Sequence, residues 1–312
     1  MEKSFKELLQ LSFKSNDTEE WLDVWFTRPI GLVFALFWAK VGVTPNMITI
    51  LSMFLGAGAG WMFLHADLWH NVGGVVLLML ANFCDSTDGQ LARLTNNKTL
   101  IGRMLDGFAS NVWFFFCYWA IVFRLWDRPL PFVGDQYGTW GIWGFFLCLL
   151  AGVGCHSRQA SLADYYRQIH LYFVSGEEKS ELDTSEAQMC IYRSLPTKGA
   201  FWDRAFYYFY ASYCRRQERQ TPEFQTFFAK VKAKYPCSSD IPQAFRDEFR
   251  RRSLPLMKYT NILTHNTRAI ALFVACLIDE PWLYPLFEIT VLSVIYIYMK
   301  WRHNQICRTM EV

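Results

Sequence analysis

Six long apolar runs, at about 47–64, 70–92, 104–124, 138–155, 260–278 and 283–300, alternate with polar connections along the chain. Crossing the hydrocarbon core takes roughly 20 residues of helix, so the pattern predicts six transmembrane helices. The last two turn tightly at Asp279, Glu280 and Pro281. Ahead of them RPIGLVFALFWAK (28–40) is apolar on one side and flanked by Arg28 and Lys40, as suits a helix lying in the membrane interface. The predicted fold class is all-α: a polytopic membrane protein with six transmembrane helices, an N-terminal interfacial helix and a helical cytoplasmic insertion. The expected division is 1–156, 157–257 and 258–312: the interfacial helix with spans 1–4, the insertion, and spans 5–6 with a cytoplasmic tail.

Connection charge sets the expected orientation. Arg93, Lys98 and Arg103 crowd the 93–103 connection and the 156–258 segment is rich in Lys and Arg, whereas 65–69 holds only Asp67 and 279–282 is acidic. The positive-inside bias places both termini, the 93–103 connection and the long segment in the cytoplasm. Within that segment, breaks at Pro196, Pro222 and Pro236–Ser239 predict short helices. Its aromatic tract FWDRAFYYFYASYCRRQER (201–219) either lies against lipid headgroups or packs its rings inside the protein.

Composition sharpens this picture. The chain has 312 residues, 52% hydrophobic and 18% aromatic, with 13 Trp and 27 Phe, a ring content suited to the water–lipid boundary. A net charge of +3 without a dense basic tract excludes nucleic acid as a partner and fits contact with membrane lipids. Nine cysteines show no CxxC pair and read as buried small apolar groups. The first 23 residues carry acids and no apolar core with a cleavage site, so the first hydrophobic helices are expected to do the targeting. Gly56 and Gly60 form a small-xxx-small pair that predicts close helix packing or a homodimer contact.

One polar stretch, CDSTDGQLARLTNNKTLIGRMLDGFASN (84–111), lies between two apolar runs. At about 100° per residue, Asp85, Asp88, Gly89 and Ala92 share one helix face, with Arg93 at its edge. Gly102, Asp106 and Ser110, four residues apart, share a face of the next helix. A short connection makes the two helices antiparallel neighbours, so three carboxylates can converge near the membrane surface. Ionised carboxylates beside lipid need compensation, and hard oxygen donors suit Mg²⁺, Mn²⁺ or Ca²⁺. Glycine and alanine between them let a bulky ligand approach, and Arg93 and Arg103 suit phosphate oxygens. Metal, phosphate and membrane together point to transfer of a phosphate-linked group at the lipid surface. The bland alternative is that the aspartates merely pair with those arginines.

The stretch resembles the CDP-alcohol phosphotransferase (phosphatidyltransferase) superfamily, whose pattern is D-x2-D-G-x2-A-R-x8-G-x3-D-x3-D. Asp85, Asp88, Gly89, Ala92, Arg93, Gly102 and Asp106 match with every gap correct, and GVTPNMIT (42–49) resembles the family's entry into its first span. The resemblance covers about 40–155 and, by topology, the last two helices. It implies a six-helix enzyme that cleaves a CDP-linked donor, transfers the substituted phosphate to an alcohol acceptor and releases CMP. It implies Asp85, Asp88 and Asp106 as ligands of Mg²⁺ or Mn²⁺, with Asp85, Gly89, Ala92, Arg93 and Gly102 around the cytidine diphosphate. The expected setting is an integral membrane protein with its site facing the cytoplasm (the inner membrane, in a bacterium).

The departure is Ser110, which stands where the family has its last aspartate, a metal ligand or base. A serine cannot act as a base near neutral pH. Either another base serves, with His156 and His265 as candidates at helix ends, or metal and positioning suffice without one, or the protein binds its ligand without turnover. Arg158 and Arg268 near those histidines could hold an acceptor phosphate or simply obey the positive-inside bias. The expected activity is phospholipid synthesis from CDP-diacylglycerol or a CDP-alcohol, with inositol phosphate, a similar polar alcohol or a lipid alcohol as acceptor. The competing reading is a non-catalytic CDP-lipid-binding paralogue or partner subunit on the same fold.

Overall fold

The structure, a computed structural model, describes residues 17–18, 23–97, 99–131, 138–176, 180, 182–197 and 199–312. Among the described residues there are helices and one isolated bridge, Pro129 to Thr139, and no β-strand, as the all-α expectation requires. They form two compact units, one running up to Arg158 and completed by Thr264–Ser293, the other Gln159–Leu263 with Val294–Val312.

The first unit begins with a π-helical turn, Asp23–Thr27, leading into α1, Arg28–Val41. Then come α2 (Pro45–Phe63), α3 (Leu68–Leu94) and α4 (Leu100–Leu125). Gly42 at φ 77° ends α1, and Pro45 starts α2 where a missing N–H costs nothing. Asp67 and Thr99 cap the next two helices, accepting the N–H groups of His70 at 3.2 Å and Gly102 at 3.0 Å. The small-residue pair is used within the chain. A Cβ on Gly56 would come within 2.0 Å of the Trp113 ring, and one on Gly60 within 2.8 Å of the Phe116 main chain. These two glycines therefore set how closely α2 and α4 pack. Phe63, Leu78, Trp113, Phe114, Ile121, Leu272 and Tyr284 form the core behind them.

Outward residues of the same helices are large and apolar, among them Phe54, Trp61, Phe115 and Phe123. Such an extended exposed apolar surface belongs against lipid. Among the described residues three helical stretches are long and apolar enough to cross a membrane by length and composition: Pro45–Phe63, Leu105–Leu125 and Leu283–Thr309. The other expected runs are helical too, with one difference. The run expected at 260–278 is interrupted, because Thr264 is extended, and its helix α11 starts only at His265 and ends at Leu277. The 138–155 run is α5 (Gly141–Leu149), which continues through a π-helical stretch, Leu150–His156, into α6 (Ser157–Ser175). The tight turn at 279 has Asp279 at φ 59°. Its carboxylate accepts hydrogen bonds from Arg124 at 2.6 Å and Arg128 at 2.8 Å, and its carbonyl accepts from Arg128 at 2.7 Å. Short α12, Leu283–Phe287, runs into a second π-helical stretch, Glu288–Leu292, and then α13, Ser293–Thr309.

The second unit holds α6 from Gln159 on, α7 (Ser185–Ser194), α8 (Phe201–Gln220), α9 (Pro222–Lys234), α10 (Gln243–Ile262) and most of α13. Its breaks fall at the prolines and serines that predict them. α6 is buried nearly all round, which marks it as the central helix of the unit. Phe173 packs on Phe249 with ring centroids 4.2 Å apart, and Tyr166 stacks on His303 at 3.9 Å.

Candidate active site

α3 brings Asp85 and Asp88 to its last turns, and α4 brings Asp106 to its second. One carboxylate oxygen from each of the three lies within 4.8 Å of the others, with Asp88 buried, Asp85 half-buried and Asp106 exposed. The convergence predicted from the spacing is therefore present. These donors are hard, anionic and contributed by two helices, and the set fits a Mg²⁺- or Mn²⁺-sized cation.

Two supports hold this cluster. The buried Thr49 hydroxyl on α2 donates to Asp88 Oδ2, fixing that carboxylate from behind. At the helix starts, Thr99 donates to Asn46 Oδ1 at 3.2 Å while its hydroxyl oxygen caps Gly102. A Cβ on Gly102 would lie 2.5 Å from Asn46 Oδ1 and 2.9 Å from Thr99 Oγ1, so no other residue fits there without a shift. Thus Gly102 leaves room for the Thr99–Asn46 hydrogen bond that ties the start of α4 to the first turn of α2, one turn ahead of Asp106. The GVTPNMIT segment supplies both Asn46 and Thr49. In the sequence this segment resembles a helix entry; its direct support of the site emerges only in the fold, because Thr49 reaches Asp88 across 39 positions.

Gly89 differs from Gly102. A Cβ there would meet only the Arg93 guanidinium, at an ordinary 3.5 Å, so the protein's own packing does not demand glycine and the face above it is open. Ala92 and Arg93 are half-buried on the same side of α3. The side chain of Arg103 lies outside the described residues. Ser110 is half-buried one turn beyond Asp106, and the exposed Asn111 turns back to donate to Gly107 O at 3.3 Å.

The two histidines part company. His265, the first residue of α11, packs edge-on against Trp113 at 5.1 Å and Phe114 at 5.6 Å, the rings that follow Ser110 on α4. Its Nδ1 is buried without a hydrogen-bond partner among the described residues. The neighbouring Asn266 accepts from Asn82, one turn before Asp85, at 3.4 Å. The start of α11 therefore meets both acid-bearing helices, about one turn from Asp85 on α3 and about two turns from Asp106 on α4. His156 instead joins a buried network around Glu288. Its Nδ1 lies 3.2 Å from Glu288 Oε1 and 3.3 Å from the Tyr118 hydroxyl. Glu288 also accepts from Tyr284 at 2.8 Å, from Tyr118 and from Arg268. Arg268 is fully buried, with its guanidinium on that carboxylate. The signal for this network was Glu288 itself, a lone acid in an apolar run, which must find a partner. Arg158 has no polar contact among those described.

With this geometry in view, the relatives are informative. Residues 42–164 match the sequence profile of the family described as CDP-alcohol phosphatidyltransferase. This stretch is a CDP-alcohol phosphatidyltransferase domain. An uncharacterized protein of Aquifex aeolicus is 41% identical over 137 residues, 41% of this chain and 62% of that protein. A CDP-diacylglycerol–serine O-phosphatidyltransferase of Bacillus subtilis is 35% identical over 91 residues, 29% of this chain and 49% of that enzyme. The chain thus spans about half to three-fifths of the curated relatives it matches. The phosphatidyltransferase domain contains the whole acidic cluster and its supports, along with Ser110 and His156, but not His265, Arg268 or Glu288.

Proposed function

We propose that the protein is a metal-dependent membrane transferase of phospholipid synthesis that moves a substituted phosphate from a CDP-linked donor to an alcohol acceptor and releases CMP. The observation that carries this reading is the meeting of Asp85, Asp88 and Asp106 within 4.8 Å across two helices. Three like charges so close repel one another, and a bound cation offsets that cost. When bound, Mg²⁺ or Mn²⁺ there supplies charge neutralisation at the diphosphate and makes CMP a better leaving group.

The chain's own residues do the rest. Asp85, Asp88 and Asp106 hold the metal, and Thr49 fixes the rotamer of Asp88. The open face over Gly89 and Ala92 admits the cytidine diphosphate, and Arg93 meets a phosphate oxygen pair. Gly102 leaves room for the Thr99–Asn46 hydrogen bond that steadies the start of α4 below Asp106. His265 takes the acceptor proton in place of the aspartate that Ser110 replaces; its imidazole packs on Trp113 and Phe114, three and four residues after Ser110, whereas that of His156 is engaged by Glu288 and Tyr118. The B. subtilis relative's name favours CDP-diacylglycerol as donor and hence a polar alcohol as acceptor. The site faces the cytoplasm by the charge of its connections, and 157–257 is a cytoplasmic insertion.

The test is CMP release by the purified chain with Mg²⁺ or Mn²⁺, over a matrix of CDP-diacylglycerol and CDP-alcohols against polar and lipid alcohols, with products identified by mass spectrometry. Asp106→Ala is expected to bring CMP release to background. Ser110 favours one second reading, the non-catalytic binder. Binding of CDP-diacylglycerol with no CMP released from any pair would establish that reading instead.

A further inference from the structure

We propose that α8 is a membrane-docking surface that seats its aromatic side chains in the headgroup region of an anionic bilayer. The two sides of this helix differ sharply. Phe206, Ala211, Cys214 and Gln217 are buried in the second unit. On the opposite side Phe201, Trp202, Tyr208 and Phe209 are 71%, 78%, 50% and 68% exposed. At about 100° per residue these four lie within roughly one third of the helix circumference. The same stripe continues through Ser212 to Arg215, Arg216 and Arg219, all three exposed.

An exposed row of four rings has no place in water, and a purely apolar partner would leave the arginines unmatched. Anionic lipid satisfies both halves. Aromatic rings favour the headgroup level, where one edge is apolar and the other wet, and arginines bind lipid phosphates while their stems cover apolar surface. The order along the helix, rings first and cations after, suits a helix lying in the plane of the interface. Chain connectivity tethers this unit to the apolar first unit at Arg158–Gln159, Leu263–Thr264 and Ser293–Val294. The inference concerns the second unit and stands apart from the transfer chemistry.

Hydroxyl-radical footprinting of the full chain tests it, reading oxidation of Trp202 and Phe209 by mass spectrometry. The chain is compared in nanodiscs of phosphatidylcholine with phosphatidylglycerol, in nanodiscs of phosphatidylcholine alone, and lipid-free in amphipol. We expect oxidation of both rings to fall about fivefold or more in the anionic nanodiscs relative to amphipol, since a docked ring lies about 5–10 Å into the boundary. The triple variant R215Q/R216Q/R219Q should restore oxidation there. Equal protection in phosphatidylcholine that survives the triple variant overturns the anionic surface. Protection already present in amphipol that survives the triple variant means that apolar cover alone, polymer or protein, suffices, and overturns docking on an anionic surface. Free oxidation under all conditions overturns it as well. CMP release measured on the same samples keeps the fate of this inference separate from that of the transfer reading.

Discussion

Two residues carry more than their size suggests. Gly102 is fixed by geometry: a methyl group there meets Asn46 and Thr99 inside contact distance. Gly102→Ala should turn the Asn46 amide and the Thr99 hydroxyl aside and break the hydrogen bond between them, lowering kcat for CMP release by about tenfold, the order expected when a group supporting a metal site is lost. Thr49 acts through Asp88. Thr49→Val keeps the volume and removes the hydroxyl, so the Mn²⁺ concentration for half-maximal CMP release should rise about tenfold or more, as for other groups that orient a ligand. A kcat effect with no change in metal dependence would contradict that role. The acids themselves were legible, because period and spacing alone place Asp85, Asp88 and Asp106 on facing sides of neighbouring helices. Their supports were not, since nothing in the local pattern says that Thr49 reaches a carboxylate 39 positions away.

At the scale of elements, ends and turns decide which helices meet. The turn after α11 is held by Asp279, whose carboxylate takes hydrogen bonds from Arg124 and Arg128. Burial on its own would raise this acid; the hydrogen bonds from Arg128 and Arg124 outweigh it and hold the carboxyl below its usual range. A depressed folded-state value means the contribution is present above the unfolded value of about 4 and vanishes as pH falls through the folded one. Asp279→Asn, which keeps a side chain that tolerates positive φ, should cost about 1 kcal/mol for this half-exposed group at neutral pH. Its melting temperature should converge on that of the unsubstituted chain below about pH 4. Helix positions were readable from apolar blocks, and the proline and serine breaks of the second unit fell where expected. Two things were not readable. Thr264 breaks a run that hydropathy alone draws as continuous, and α5 passes into α6 without a stop because no glycine or proline ends it.

For the whole molecule, the buried network is the feature that local pattern could not reveal. His156, Arg268 and Glu288 are 20 to 132 positions apart in sequence, and only the tertiary fold joins them. Glu288 and Arg268 are both essentially inaccessible. Removing one member of such a pair is costly, so Glu288→Gln should destabilise the first unit by about 3–5 kcal/mol. Thermal unfolding in detergent should show a melting temperature lowered by well over that of Asp279→Asn; a shift no larger would mean that the network bears little of the fold.

That pairing also constrains how the protein is made. Arg268 and Glu288 belong to consecutive helices joined by one tight turn, and if both helices cross the membrane, as the six-span reading proposes, each alone would present a bare charge to hydrocarbon. Neither helix is a good independent guest of the bilayer during synthesis, so the two should leave the insertion machinery together, as a hairpin whose charges already cancel. A nascent chain halted between them would be caught with its arginine exposed to lipid, and that is the point at which quality control would find it.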